Sequence, residues 1–114
     1  MQPKIFLQLI DLVPELTAHG KGYKQVFLNN NDTATSITQV AYGKFLPGES
    51  CPSHVHTTME ECFYFISGAG EYVVDGKSYE LKEGSFIRIP AATTHQLKAL
   101  GNEPLTFVYF GVAV

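Results

Sequence analysis

The stretch Gly48-Glu-Ser-Cys-Pro-Ser-His54-Val-His56-Thr-Thr-Met-Glu-Glu61-Cys-Phe-Tyr-Phe-Ile-Ser-Gly68 decides how this chain is read. Two histidines stand two residues apart, and in a β-strand that spacing sends both imidazoles to one face. Ring nitrogens on one face can share one metal ion. A turn after Thr57 would reverse the chain and bring a carboxylate back beside them. Glu60 and Glu61 both qualify by distance, and strand phase separates them. Glu61, Phe63 and Phe65 fall on one face, and Cys62, Tyr64 and Ile66 on the other. A carboxylate turned inward beside two aromatic rings is costly unless it is paired or bound to metal. Glu61 is therefore assigned to the metal, and Glu60 to solvent or the rim.

A second stretch, Gly84-Ser-Phe-Ile-Arg-Ile-Pro90-Ala-Ala-Thr-Thr-His95, offers a third imidazole. Gly84 opens a strand, Pro90 ends it, and a tight loop delivers His95. Three neutral imidazoles and one carboxylate around a divalent ion leave a net charge of about +1. Such a donor set suits one divalent transition metal: iron, manganese, nickel, zinc, cobalt or copper.

Strand signals dominate around these stretches. Tyr23 to Leu28 and Thr35 to Phe45 are β-prone and are separated by the turn-forming cluster Asn29 to Asp32, which predicts a hairpin. Glu61 to Ile66, Glu71 to Val74, Lys77 to Leu81, Ser85 to Ile89, His95 to Ala99 and Leu105 to Val112 follow. Asp75-Gly76 is the strongest hairpin turn in the chain. The only helix candidate, residues 4 to 12, is weak. About eight or nine closely spaced strands predict an all-β sandwich or barrel, and closure into a jelly roll protects its edges. Residues 1–34 read as an N-terminal segment and first strand packing on a barrel of residues 35–114, one domain overall.

Composition narrows the partners. With 114 residues and 45% apolar content the chain can bury a core without staples. The net charge is −3, and Lys and Arg are scattered singly, so no basic stripe points to nucleic acid. The apolar run from Ile5 to Ile10 is too short to span a membrane and lacks the features of a secretory signal. The expected location is cytoplasmic, where Cys51 and Cys62 would stay reduced and serve as small apolar fillers. A ligand or redox role is the alternative for the two thiols. Outer-face residues such as Tyr64 and Ile66, with the apolar run Ile5 to Leu12, need cover that one copy does not supply, which predicts a homodimer.

The two quoted stretches resemble the paired motifs of the cupin superfamily, matching the small single-domain type. The first family pattern is Gly, five residues, His-any-His, three or four residues, Glu, six residues, Gly; Gly48, His54, His56, Glu61 and Gly68 meet it. The second is Gly, five residues, Pro-any-Gly, two residues, His, three residues, Asn; Gly84, Pro90 and His95 meet it, while Ala92 and Ala99 replace the Gly and the Asn. The resemblance covers about residues 35 to 112. It implies a double-stranded β-helix, a jelly-roll barrel holding a metal on His54, His56, Glu61 and His95, and pairing of copies through their sheets. It does not fix a reaction, because the family includes isomerases, dioxygenases, decarboxylases, storage proteins and sensors.

The expected function is a small-molecule metalloenzyme of isomerase or dioxygenase type, acting on a sugar, a hydroxy-carbonyl compound or a diol. The alternative is a non-catalytic module that binds or senses a sugar or metabolite. Arg88 is a candidate anion clamp in the cavity, against a solvated strand residue. Tyr109 is a candidate acid or hydrogen-bond donor, and Phe63, Phe65, Leu97 and Phe107 are candidate cavity walls. His19, in His-Gly-Lys-Gly, reads as part of a flexible loop, with a place at the barrel mouth as the alternative.

Overall fold

The computed structural model describes residues 4–114. Ten strands form two antiparallel sheets: β1 (Glu15–Leu16), β2 (Tyr23–Asn29), β3 (Ile37–Phe45), β4 (Ser50–His54), β5 (Met59–Ser67), β6 (Ala69–Val74), β7 (Lys77–Leu81), β8 (Phe86–Ile89), β9 (His95–Leu100) and β10 (Leu105–Ala113). One sheet has the order β1-β2-β3-β10-β5-β8 and the other β4-β9-β6-β7. This is the expected all-β jelly roll, with β2 and β3 paired as the predicted hairpin. Asp75 and Gly76 both take positive φ, 51° and 80°, which is the backbone a two-residue hairpin turn demands.

The inner faces of the two sheets meet over aromatic rings. Phe63 on β5 stacks on Tyr109 of β10, with centroids 5.2 Å apart and ring planes 12° apart. It also meets Tyr72 of β6 edge-on at 5.3 Å, across the sheets. Phe65, Leu81, Ile89, Ala99 and Leu105 close one end of the barrel as packed core. The other end stays open, partly because residue 43 has no side chain: a Cβ there would lie 2.4 Å from the Phe107 ring. The Phe107 ring therefore packs directly against the β3 backbone at Gly43, and both residues line the cavity.

Two local expectations change. Residues 4 to 12 form no helix beyond a single 3-10 turn at Leu9–Asp11. The Gln25 side-chain amide donates to the carbonyls of Leu9 and Leu12. Those carbonyls are thus satisfied by β2, and the arm lies along the sheet instead of continuing as helix. The second change concerns the first motif. The strand carrying it stops at His54, so His56 lies beyond the strand and not two places along it. Pro52 accounts for the irregular register between Cys51 and His54: it cannot donate to a ladder and sits on an edge strand.

Candidate metal centre

His54 and His95 face each other directly across β4 and β9. Their rings lie 4.1 Å apart, and the His56 ring lies 4.8 Å from His54 and 5.3 Å from His95. Glu61 arrives from β5 in the predicted inward phase, opposite Gly111 of β10 and Ile89 of β8. The donor atoms of His54, His56, Glu61 and His95 all lie within 4.8 Å of one another. His56 reaches the cluster from a loop, which is held by its own carbonyl accepting the Ala92 N–H at 2.6 Å. The loop of the second motif thus clasps the loop of the first.

The hydrogen bonds set the ring tautomers. His54 Nδ1 lies 2.8 Å from the Pro52 carbonyl and His95 Nδ1 lies 2.8 Å from the Thr93 carbonyl. A carbonyl only accepts, so each Nδ1 donates and each neutral ring keeps its lone pair on Nε2. That arrangement is how metal-binding histidines are oriented. His95 Nε2 is buried with no hydrogen-bond partner. Glu61 Oε1 stands 3.6 Å from it and 3.5 Å from His56 Nε2, both beyond hydrogen-bond length. An orphaned buried polar atom costs about 1–3 kcal/mol. A cation among these atoms, about 2.0–2.2 Å from each donor, would satisfy all of them at once. The residues fit a divalent ion.

Electrostatics agrees. Burial lowers the pKa of His54 below the ordinary imidazole value, outweighing the Pro52 carbonyl, and so keeps its lone pair free. For His95, burial opposes the charged form, but Glu61 and the Thr93 carbonyl outweigh it and raise the pKa.

His54, His56 and Glu61 stand in the wall of a cavity of about 230 Å³ at the open end, with His95 buried behind them. Phe63, Tyr72, Leu97, Phe107 and Tyr109 make its apolar lining, and Gln39 and Lys24 stand among its polar members. Phe65 is packed core and does not reach it. Burial, with Glu61 nearby, raises the Tyr109 pKa above its ordinary value, so its hydroxyl stays protonated and able to donate.

Arg88 is outside the cavity. It lies on the outer face, bonded to Glu60 at 2.8 Å. Residues alternate across a strand, and Arg88 has the phase opposite to buried Ile89, so the anion-clamp candidate is set aside. Glu60 faces outward with it, as phase predicts.

His19 is the converse. The β1–β2 loop brings it into the cavity lining with its ring 4.5 Å from His54. Its reading as an ordinary loop residue is corrected to the barrel mouth. Cys51 is also more than a filler: it is buried in the cavity wall, with Sγ 3.5 Å from His54 Nδ1. Burial and Glu61 push its thiol pKa up to about 11. Both cysteines are free. No local spacing could have joined His19 to Cys51, because only the β1–β2 turn over the barrel mouth brings them together.

The cupin domain family matches residues 41–111, a span that holds all four donors. This chain belongs to the cupin family. The cupin is 40% identical over 52 residues to an uncharacterised protein of Methanocaldococcus jannaschii, covering 46% of this chain and 42% of that protein. It is 30% identical over 63 residues to the polyketide synthase CurC of Streptomyces cyaneus, covering 55% and 41%. The chain thus spans about two-fifths of the length of these relatives. A structure from Thermotoga maritima described as a predicted oxalate decarboxylase superposes with a TM-score of 0.90 at 21% identity, over 96% of this cupin and 100% of that chain. That likeness establishes the shared fold.

Proposed function

We propose that this cupin is a metal-dependent enzyme of isomerase or dioxygenase type, holding one divalent transition metal on His54, His56, Glu61 and His95. The observation that carries the reading is the buried, unpartnered His95 Nε2 facing Glu61, which itself lines an aromatic-walled cavity. A bound ion would supply Lewis-acid polarisation of substrate oxygens.

The chain's own residues do the rest. Phe63, Phe107 and Tyr72 would hold a planar or ring-shaped substrate and exclude water. The protonated Tyr109 hydroxyl would donate a hydrogen bond to a substrate oxygen. The cavity volume lies below the roughly 300–1,000 Å³ of drug-sized ligand sites. This favours a single-ring diol, a sugar or a short hydroxy-carbonyl compound. The Streptomyces relative is named a polyketide synthase, and a polyketide is itself a carbonyl compound, which accords with this class.

The test is elemental analysis of gently purified protein, followed by a substrate screen with the metal found. We expect one transition metal per chain, lost when His54 and His56 are both replaced by Ala. Full metal retention in that double variant overturns the site. Tight small-molecule binding without turnover across the screen replaces the enzyme by a sensing module.

The same cupin is proposed to pair as a homodimer. On its outer face Tyr64 sits opposite Phe86 of the edge strand β8, and Phe110 opposite Cys62 of β5. All three aromatics are exposed, as are Ile5, Phe6 and Ile10 of the arm. A second copy is the proposed cover for these apolar groups. Light scattering at micromolar concentration giving the mass of one chain ends this reading. A dimer that survives deletion of residues 1–12 places the interface on the sheet alone.

A further inference from the structure

A second group of donors stands beside the first. His19 from the β1–β2 loop and Cys51 and His54 from β4 offer ligand atoms that all lie within 4.8 Å of one another. We propose that His19, Cys51 and His54 form a separate site for a thiophilic ion such as zinc, cadmium or copper(I), and that it competes with the four-donor centre for His54.

The geometry is the first argument. Zinc takes sulfur at about 2.3 Å and imidazole nitrogen at about 2.0–2.1 Å, and tetrahedral angles then separate those two donors by about 3.6 Å. Cys51 Sγ and His54 Nδ1 are 3.5 Å apart. The donor chemistry is the second. A thiolate with two imidazoles selects soft and borderline ions, whereas three imidazoles with a carboxylate also accept harder ones.

Competition follows from the lone pairs of one ring. A neutral imidazole has one nitrogen lone pair to give and one N–H. While His54 Nδ1 donates to the Pro52 carbonyl, Nε2 is free to face His95 and Glu61. If Nδ1 instead binds the ion next to Cys51, the proton moves to Nε2 and His54 leaves the four-donor set. The Cys51 thiol proton goes to the buffer on binding, because the thiolate is the ligand. His19 completes the site from the mouth, on a loop whose glycines Gly20 and Gly22 both take positive φ. The ion enters where His19 is exposed to solvent.

The experiment is titration of the full chain with cadmium, read by the ultraviolet charge-transfer band of a cadmium–thiolate bond. We expect the band in the wild type and in Cys62→Ala, and its loss in Cys51→Ser. Loss of a supporting group alone weakens metal sites about 10–100-fold, so removing a ligand by His19→Ala should weaken cadmium at least about tenfold. Glu61→Gln should leave the band in place while weakening manganese or nickel at the four-donor centre, and cadmium should release that metal from the wild type. A band lost in Cys62→Ala and kept in Cys51→Ser overturns the proposal. So does unchanged affinity in His19→Ala, or a band lost in Glu61→Gln, which would make Cys51 an added ligand of the first centre. The band does not depend on turnover, so this site stands or falls apart from the proposed enzyme. Circular dichroism of each variant keeps an unfolded protein from counting as a lost ligand.

Discussion

The two faces of β5 meet opposite surroundings, although their residues alternate one by one. Inward, Glu61, Phe63 and Phe65 pass from the candidate metal centre through the aromatic cavity wall into packed core. Outward, Glu60, Cys62, Tyr64 and Ile66 meet solvent or the edge strand. Glu60 and Glu61 are chemically identical neighbours, yet one holds Arg88 in a half-exposed ion pair and the other points at His56 and His95. Phase alone separates them, and a shift of one residue would exchange their roles.

The largest test of that difference is in the core. Phe65→Ala should cost about 3–5 kcal/mol, because it empties a fully buried ring site. Tyr64→Ala, with half its surface already in solvent, should stay within about 0.5 kcal/mol in the fold of a single chain. Denaturant titration at low protein concentration measures both. Equal losses would mean that the outer face is buried in a stable assembly even when dilute.

The next test compares the carboxylates. Glu61→Gln should weaken the transition metal at least about tenfold, since it removes the charged donor of the set. Glu60→Gln removes only a surface ion pair, worth about 0–1 kcal/mol, and should leave metal affinity unchanged. A metal-indicator competition assay reads both. A greater loss for Glu60→Gln would put the strand register wrong by one.

Much of this is legible in the amino-acid sequence. Period-two alternation marks β5 and β9, and Asp75-Gly76 marks the hairpin, because those signals are local. The inward phase of Glu61 follows from the same alternation. What escaped was set by contacts between distant segments. His54 and His56 read as one face of a strand, but β4 ends at His54, and His56 reaches the cluster from a loop whose carbonyl accepts the Ala92 N–H, 36 residues away. Arg88 stands open between an anion clamp and a solvated strand residue, and its bond to Glu60, 28 residues away, decides for the outer face. His19, for which the barrel mouth is the alternative to a plain loop, joins the site because the β1–β2 loop folds over the mouth, a contact between distant segments.

The smallest effect lies in the loop that joins the two motifs. The family pattern has glycine where this chain has Ala92, and Ala92 adopts φ 62°. A left-handed backbone costs a residue with a Cβ about 1–2 kcal/mol. Glycine removes that strain but loses about 0.4–1 kcal/mol through the greater freedom of its unfolded chain. The net expectation for Ala92→Gly is a stabilisation of about 0.5–1 kcal/mol. Glycine keeps its N–H, so the bond from residue 92 to the His56 carbonyl survives, and metal affinity should not change. Thermal unfolding of the metal-free protein measures the first part and the indicator assay the second. A destabilised variant would mean that the Cβ of Ala92 makes a contact worth more than the strain. Metal loss in a stabilised variant would mean that the strain itself holds His56 in place.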